Sequence, residues 1–185
     1  MQKLFLIRHG ESAGTAPGKT DFDRKLTAKG MAEISALGLK ISTLLDSEFV
    51  IVSSSAIRTQ QTAKLLSENL SVDIHFLQQL YNGTAEDYKE VIGEFTRAKT
   101  LVLIGHNPAI SELTFQLSGT HINFHPGTCV IFTMAENENK NLIDSKIERI
   151  INPSSLMEEL FSSMINSKVA LFFSSMNVGV MDKLP

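Results

Sequence analysis

The most chemically informative residues of the chain are Arg8, His9 and Gly10, which directly follow the apolar run 4–7. Four consecutive apolar residues predict a buried strand, so a guanidinium and an imidazole would emerge together at its end. An imidazole nitrogen beside a cation can attack an electrophile that carries several negative charges. A phosphoryl group is the obvious electrophile of that kind.

Two further junctions of the same kind supply more cationic side chains. The apolar segment 100–104 leads to His106, and the apolar segment 49–52 is followed by three serines and a helical pattern that carries Arg58. Continuous apolar runs that alternate with helical patterns are typical of parallel strands covered on both faces. Ligands gather outside the carboxyl ends of such strands. The sequence therefore predicts one anion pocket formed by Arg8, His9, Arg58 and His106.

The type of each side chain suggests its role in that pocket. His9 would attack phosphorus through one ring nitrogen while the other donates to an acceptor, for which a backbone carbonyl just after it is our candidate. Arg8 and Arg58 can each offer paired donors to phosphate oxygens. His106 would add a third donor if the charge of the phosphate favours its protonation. Such a site needs no metal ion and no other cofactor.

Composition narrows the class of protein further. The chain has 185 residues, of which 43% are hydrophobic and 20% charged, a balance typical of one globular domain with a full core. Lysine and arginine number 17 against 20 acidic residues, so the formal net charge is −3. Because no basic tail or block is present, nucleic acid is not expected as a partner.

Other sequence features bear on the compartment. Cys129 is the only cysteine, which argues against an internal disulfide and a cysteine-based metal site, and its apolar neighbours predict a buried side chain. The first strand begins at once, which leaves no room for a signal peptide. No apolar run approaches the ~18 residues of a membrane span. We therefore expect a cytoplasmic protein without a transmembrane segment.

Hydrophobic periodicity predicts an α/β fold with a mostly parallel sheet and helices on both faces. Thr27 is the expected N-cap of the first helix. Two strands near the end of the domain, around the polar turn 136–140, are expected to form a hairpin that makes the sheet mixed. The helices are predicted over 28–45, 56–69, 86–98 and from Pro108 onward, and the strands over 4–7, 49–52, 73–76, 100–104, 128–134 and 142–150.

The chain is predicted to divide into a domain over 1–153 and a C-terminal extension over 154–185. Leu156, Leu160, Phe161 and Met164 predict a short amphipathic helix, and residues 169–173 form a separate apolar run. The extension is expected to pack on the domain or on a partner. The sequence leaves the oligomeric state open.

Four segments occur in the order of a known family: Arg8–Glu11, Arg24–Gly30, Ser53–Thr62 and Gly105–Asn107. Together they resemble the histidine phosphatase superfamily, also called the phosphoglycerate mutase-like fold. The small size resembles its short branch, the phosphohistidine phosphatases of the SixA type. This resemblance covers residues 3–153 and implies a three-layer sandwich.

By this resemblance His9 is the nucleophile that becomes phosphorylated, and Arg8, Arg58 and His106 line the phosphate pocket. Lys25 and Ser55 stand where family members often have proline. Larger members that act on esters carry an acidic residue after the third strand, whereas here the stretch 80–85 contains no carboxylate. Glu86 is then the candidate acid, with Asp87 beside it.

The leaving group decides between the substrates that remain open. An alkoxide leaves poorly without an acid, whereas the nitrogen of a phosphorylated imidazole leaves more easily. The missing carboxylate near Tyr81 therefore favours a protein phosphohistidine as substrate over a small phosphate monoester. Two further functions stay open, a non-catalytic module that binds a phosphorylated partner and a mutase that acts on a small sugar acid.

Three more residues are predicted at the edge of the pocket. Ser12 and Asn107 are candidates for substrate contact, and Arg24 is expected either to reach the rim or to pair with Asp21 or Asp23. Structural or exposed roles are expected for the remaining histidines, which lack a matching set of partners: His75, His121 and His125.

Overall fold

The structure, a computed structural model, describes residues 1–68, 70, 72–134 and 145–178, with side chains up to residue 165 in the final helix. Six strands form one sheet: β1 Lys3–Arg8, β2 Phe49–Ser54, β3 Ile74–Leu77, β4 Thr100–Gly105, β5 Cys129–Met134 and β6 Ser145–Ile151. The helices are α1 Ala28–Ser42, α2 Ile57–Leu66, α3 Ala85–Glu94, α4 Ala109–Ser118 and α5 Pro153–Val178. Short 3-10 helices cover Asp21–Asp23 and Gln78–Leu80.

The sheet has the strand order β3-β2-β4-β1-β5-β6. β1 to β4 run parallel, while β5 runs antiparallel to β1 and β6 antiparallel to β5. This confirms the predicted mostly parallel sheet with a terminal antiparallel pair. The predicted turn at 136–140 and the first residues of the last predicted strand lie outside the described residues.

Strand residues alternate between two hydrophobic cores, one on each face of the sheet. Leu4 and Leu6 face the core that α3 and α4 cover, whereas Phe5 and Ile7 face the core of α1, α2 and the start of α5. All four side chains are fully buried. Burial on both faces explains why these strands are continuous apolar runs, and it confirms the three-layer α/β architecture.

Local capping sets the helix ends. Thr27 is the N-cap of α1 and accepts a hydrogen bond from the Gly30 N–H at 3.0 Å, as predicted. At the other end Ser42 and Thr43 donate to helix carbonyls. α1 therefore ends at Ser42 rather than at the predicted residue 45.

Two other predicted helices differ from the structure in length. α3 begins at Ala85, one residue before the predicted start, and ends at Glu94, four residues before the predicted end. It ends there because the chain must turn to enter β4. α2 likewise ends at Leu66. Cys129 is fully buried in β5, as predicted, and burial raises the pKa of its thiol.

As far as residue 178, where the described part ends, the C-terminal segment is one helix and not a short helix followed by a separate apolar run. α5 begins at Pro153 and packs against α1, where Leu156 is buried in the core. The ring of Pro153 lies over Gly127, where an added Cβ would be 2.7 Å from it. Within the described residues no helix is long and apolar enough to span a membrane.

Candidate active site

Three neighbouring strands bring the predicted residues together. β4 lies between β1 and β2, and Arg8 at the end of β1 pairs with Gly105 at the end of β4. The His9 N–H donates to the Gly105 carbonyl at 3.2 Å, so the backbone ladder continues one residue past the strand. The rings of His9 and His106 consequently lie 5.2 Å apart, centroid to centroid.

His9 is held in the tautomer that a nucleophile needs. Its Nδ1 lies 2.8 Å from the Gly10 carbonyl oxygen, and its Nε2 lies 3.2 Å from Nε of Arg58. Because a carbonyl only accepts and a guanidinium only donates, Nδ1 carries the proton and Nε2 keeps its lone pair. Burial, together with the nearby Arg58 charge, lowers the His9 pKa to about 4. The ring is therefore neutral at pH 7.

His106 has the opposite tautomer. Its Nδ1 lies 3.3 Å from Nη2 of Arg58 and accepts from it, so Nε2 carries the proton and lies 2.8 Å from the Ser54 hydroxyl oxygen. Burial lowers its pKa to about 3, with further lowering from His9 and Arg58. Without a bound anion His106 is thus neutral. The protonated form suggested by the sequence would require the negative charge of a bound ligand.

Arg8 contributes two N–H groups of its guanidinium to the site. Its Nη1 donates to the Phe124 carbonyl at 2.6 Å, which ties the end of β1 to the loop before β5. Its Nε has no hydrogen-bond partner among the described residues. Burial lowers the pKa of this guanidinium, and the charges of Arg24 and Arg58 lower it further. A buried unpaired N–H in a cationic cluster is suited to an anionic oxygen.

Arg58 is almost fully buried and lies at the centre of the site, in the first turn of α2. Besides its contacts with the two histidines, its Nη1 donates to the Asp21 carbonyl at 2.7 Å and its Nη2 to the Asp21 carboxylate at 3.0 Å. Asp21 also accepts from Arg24 at 2.9 Å and from the Tyr81 hydroxyl at 3.2 Å. One acidic side chain thereby links three segments that line the site.

A cavity of about 640 Å³ opens over these groups. Its described lining includes every catalytic and substrate-contact residue predicted from the sequence, with the exception of Glu86: Arg8, His9, Ser12, Arg24, Arg58, His106 and Asn107. Carboxylates of Glu11, Asp21 and Glu112 complete its charged lining. The three arginines of the described lining come from different elements: Arg8 from the end of β1, Arg58 from the first turn of α2, and Arg24 from the loop after β1.

The comparisons with known proteins place the chain in a family. The model of the histidine phosphatase superfamily (branch 1) matches residues 4–96, which contain three of the four sequence motifs.

The chain belongs to the histidine phosphatase superfamily.

Two proteins from other organisms are similar to part of the sequence. A chloroplastic protein of Arabidopsis thaliana is 28% identical over 133 residues, which cover 65% of this chain and 61% of that protein. A protein of Picosynechococcus sp. is 29% identical over 135 residues, covering 65% of this chain and 78% of that protein. The chain thus spans less than two thirds of the length of the Arabidopsis relative.

Solved structures share the fold. A candidate phosphohistidine phosphatase SixA of Agrobacterium tumefaciens superposes with a TM-score of 0.72 at 24% identity, over 82% of this chain and 98% of that one. A protein histidine phosphatase SixA complexed with tungstate gives 0.72 at 21% identity, over 83% and 99%. The α-ribazole phosphatase of Shigella flexneri gives 0.61 at 16% identity, over 82% and 97%.

The structure does not bring Glu86, the candidate acid, to the cavity. Its side chain is 72% exposed and pairs with Lys89 at 3.0 Å, because it lies on the outer side of the first turn of α3. Asp87 accepts from the N–H and hydroxyl of Thr84 in the cap of the same helix. The carboxylate expected to be missing near Tyr81 is instead supplied by Asp21, from a loop sixty residues earlier in the chain.

The rim residues and the other histidines lie as follows. Arg24 does both things that the sequence left open, since it pairs with Asp21 and lines the cavity, and it also donates to the Ser12 hydroxyl at 3.0 Å. His75 contacts the Phe95 ring and His121 stacks on Phe115, while His125 accepts from Asn123. None of these three is among the described residues of the cavity lining.

Several positioning residues were not found by sequence reasoning. Ser54 orients His106, while the buried hydroxyl of Tyr88 accepts from the His106 N–H at 3.1 Å and donates to the Leu80 carbonyl. An alanine Cβ at Gly105 would lie 2.2 Å from that hydroxyl, so only glycine fits there. Thr62 accepts from the Gly10 N–H at 3.1 Å. The signals for Thr62 were its place in the family segment Ser53–Thr62 and its position one helical turn after Arg58.

Proposed function

We propose that the protein is a metal-independent phosphatase that forms a covalent phosphohistidine at His9 and removes phosphate from phosphohistidine in a protein substrate. The observation that carries this proposal is the neutral Nδ1–H tautomer of His9, whose Nε2 lone pair lies in a cavity with Arg8, Arg58 and His106. Membership in the histidine phosphatase superfamily supports it. The complex of one structural relative with tungstate, a tetrahedral oxyanion, is consistent with it.

The first step would transfer the phosphoryl group in line. His9 Nε2 attacks phosphorus, and the new P–N bond forms as the bond to the leaving group breaks. The negative charge on the three equatorial oxygens is stabilised by Arg58 and by the Nε–H of Arg8, for which the described part of the chain offers no other acceptor. Phosphate binding would also draw a proton to His106, which makes it a further donor.

The second step would hydrolyse the intermediate. Water attacks the phosphorus on His9, the P–N bond breaks, and inorganic phosphate leaves with the oxygen of the water. The water loses its protons to phosphate and solvent, and His9 regains its neutral form. The Gly10 carbonyl holds Nδ1–H throughout, so the same nitrogen of the ring serves as nucleophile and then as leaving group.

The ionised Asp21 carboxylate favours a nitrogen leaving group over an alkoxide. The hydrogen bond from Arg24, with the Arg58 charge, lowers the pKa of Asp21 to about 2, so Asp21 is ionised and cannot donate a proton at neutral pH. A phosphorylated imidazole that is already protonated on its other nitrogen leaves as neutral imidazole without a donor. The substrate of this proposal is therefore a phosphoramidate of a protein rather than an ester.

Small phosphate monoesters form the second candidate class, because the Glu112 carboxyl group also lines the cavity. Glu112 is therefore the candidate acid for an alkoxide leaving group. If esters are the substrates, Glu112→Gln should lower ester hydrolysis and leave phosphohistidine hydrolysis unchanged. The mutase that the sequence left open would be recognised by a different reaction, the isomerisation of a phosphoglycerate.

The test is a direct comparison of a phosphohistidine protein with a panel of phosphate monoesters. We expect release from phosphohistidine to dominate, and His9→Ala to lower turnover by on the order of 10³-fold or more. Acid-labile phosphate should be trapped on the wild-type protein and not on the variant. His121→Ala, which removes a surface histidine, is the control and should keep full activity. An active His9→Ala protein would refute the mechanism, and phosphate held without release would support a binding module.

A further inference from the structure

Among the described residues, Asp21 is the acidic residue with the most hydrogen bonds in the site. The sequence predicted for it only a candidate ion pair with Arg24. Asp21 begins the 3-10 helix Asp21–Asp23 and approaches the pocket from the loop after β1. One carboxylate oxygen accepts from Arg24 at 2.9 Å, and the other accepts from Arg58 at 3.0 Å and from the Tyr81 hydroxyl at 3.2 Å. Its backbone carbonyl accepts a second bond from Arg58 at 2.7 Å.

The two edges of the Arg58 guanidinium face different partners. Nη1 and one proton of Nη2 form the edge that Asp21 holds through its carbonyl and its carboxylate. Nε and the other proton of Nη2 form the edge that faces His9 Nε2 at 3.2 Å and His106 Nδ1 at 3.3 Å. A phosphoryl group on His9 would meet this second edge. Asp21 therefore holds Arg58 without occupying the edge that faces the reacting group.

The surroundings of Asp21 keep this arrangement in one geometry. Tyr81 packs edge-to-face on Phe22 with 5.0 Å between ring centroids, and the Arg58 guanidinium lies 6.0 Å from the Tyr81 ring centroid. Asp21 is ionised at neutral pH because its hydrogen bond from Arg24 and the Arg58 charge hold its pKa at about 2. It can therefore act as a fixed acceptor but not as a proton donor.

We propose that Asp21 is a positioning residue, which holds one edge of the Arg58 guanidinium so that the other edge meets the phosphoryl group transferred to His9. This inference rests on the proposed phosphatase function. Its consequence for kinetics is specific, because Asp21 also places a negative charge near the phosphate. Loss of that charge should not weaken binding of the ground-state anion, whereas loss of the orientation should slow the chemical step.

Asp21→Asn should accordingly lower kcat by about 10- to 100-fold, the range expected when a charged donor is misplaced by about 1 Å. KM and the inhibition constant for inorganic phosphate should stay equal or fall. Asp23→Asn is the matched control, because Asp23 lies in the same 3-10 helix but bonds only Thr20 within the described contacts. Asp23→Asn should change kcat less than twofold. Equal losses in both variants would overturn the proposal.

Coupling with Arg58 gives a second test. In an Arg58→Lys background the guanidinium edges do not exist, so the further change Asp21→Asn should lower kcat by less than threefold. Fully additive losses would show that Asp21 acts through another group and would refute the inference.

A spectroscopic measurement separates this inference from the proposed function. In ¹⁵N-labelled protein without substrate, the Arg58 Nε–H that donates to His9 should give a slowly exchanging signal. We expect this signal to disappear in Asp21→Asn and to persist in Asp23→Asn. The signal reports on orientation even if no substrate is turned over. Its persistence in Asp21→Asn would contradict the positioning role whether or not the protein is a phosphatase.

Discussion

His9 and His106 carry their ring protons on opposite nitrogens, although both rings contact the same guanidinium. Arg58 can only donate, so it requires a lone pair on Nε2 of His9 and on Nδ1 of His106. The Gly10 carbonyl and the Ser54 hydroxyl then receive the remaining ring protons. Two identical side chains thus become different chemical groups: in the proposed mechanism, Nε2 of His9 attacks phosphorus, and His106 takes up a proton when phosphate binds.

This assignment predicts how the two rings titrate. As the pH falls from 7 through 6.5, where a free imidazole gains its proton, both rings should stay neutral because burial opposes the charged form. In the phosphate-free protein, ¹⁵N NMR should show Nδ1–H for His9 with a midpoint at about pH 4 and Nε2–H for His106 with a midpoint at about pH 3.

Saturating inorganic phosphate provides the control for that titration. The added negative charge should raise the midpoint of His106, since it favours the protonated ring. A midpoint near pH 6.5 for either histidine in the phosphate-free protein would contradict the assignment, as would the same tautomer in both rings.

At the scale of the elements, the site depends on the contact between the β1 exit and the first turns of α2. Thr62 joins them, because its hydroxyl accepts from the Gly10 N–H at 3.1 Å and donates to the Arg58 carbonyl at 2.8 Å. Gly30, in the first turn of α1, is close enough to the β1 exit that an added Cβ would lie 2.2 Å from the Glu11 carbonyl oxygen. The backbone around His9 is therefore fixed by two helices at once.

The Thr62 contact leads to a stability prediction. Thr62→Val keeps the shape of the side chain but leaves the buried Gly10 N–H without its acceptor, which should lower the free energy of unfolding by about 1–3 kcal/mol. Equilibrium denaturation measures this loss. Thr62→Ser retains the hydroxyl and should lose less than half as much. Equal losses in the two variants would show that the methyl packing of Thr62, not its hydrogen bonds, matters.

At the scale of the whole molecule, the C-terminal helix is attached close to the site. The Asn152 side chain accepts from the Thr128 hydroxyl at 3.1 Å, and the Thr128 carbonyl accepts from the Arg8 N–H at 3.1 Å. The predicted boundary after residue 153 therefore falls at the start of a helix whose first turn is part of the core. Beyond that turn, large apolar side chains of α5 are substantially exposed, from 37% to 66%: Met157, Leu160, Phe161, Met164 and Ile165.

Two leucines of α5 test how much of this helix belongs to the core. Leu156 is 5% exposed, so Leu156→Ala should lower the free energy of unfolding by about 2–5 kcal/mol through lost burial and a residual cavity. Leu160, one turn later, is 40% exposed, so Leu160→Ala should change the free energy of unfolding by only about 0.5 kcal/mol. Denaturant unfolding of both variants at equal concentration compares them. A large loss for Leu160→Ala would mean that the exposed face is buried in solution.

Sequence reasoning was most successful where a short segment contains both the structural and the chemical signal. An apolar run followed directly by Arg8 and His9 predicts a strand and the residues at its end, because strand burial and side-chain chemistry are both local properties. The same holds for His106 after β4, and for Arg58 after β2. Helix ends were predicted less well, since they depend on where the chain must turn toward the next strand.

The sequence by itself determined which cations and imidazoles stand at the carboxyl ends of three buried strands. Only the tertiary structure decided which groups orient them: Asp21 on Arg58, Ser54 on His106, and the Phe124 carbonyl on Arg8. These contacts join residues between 37 and 116 positions apart in the chain. Their formation depends on strand order and loop path, which arise from the packing of the whole chain and leave no periodic or local pattern to read.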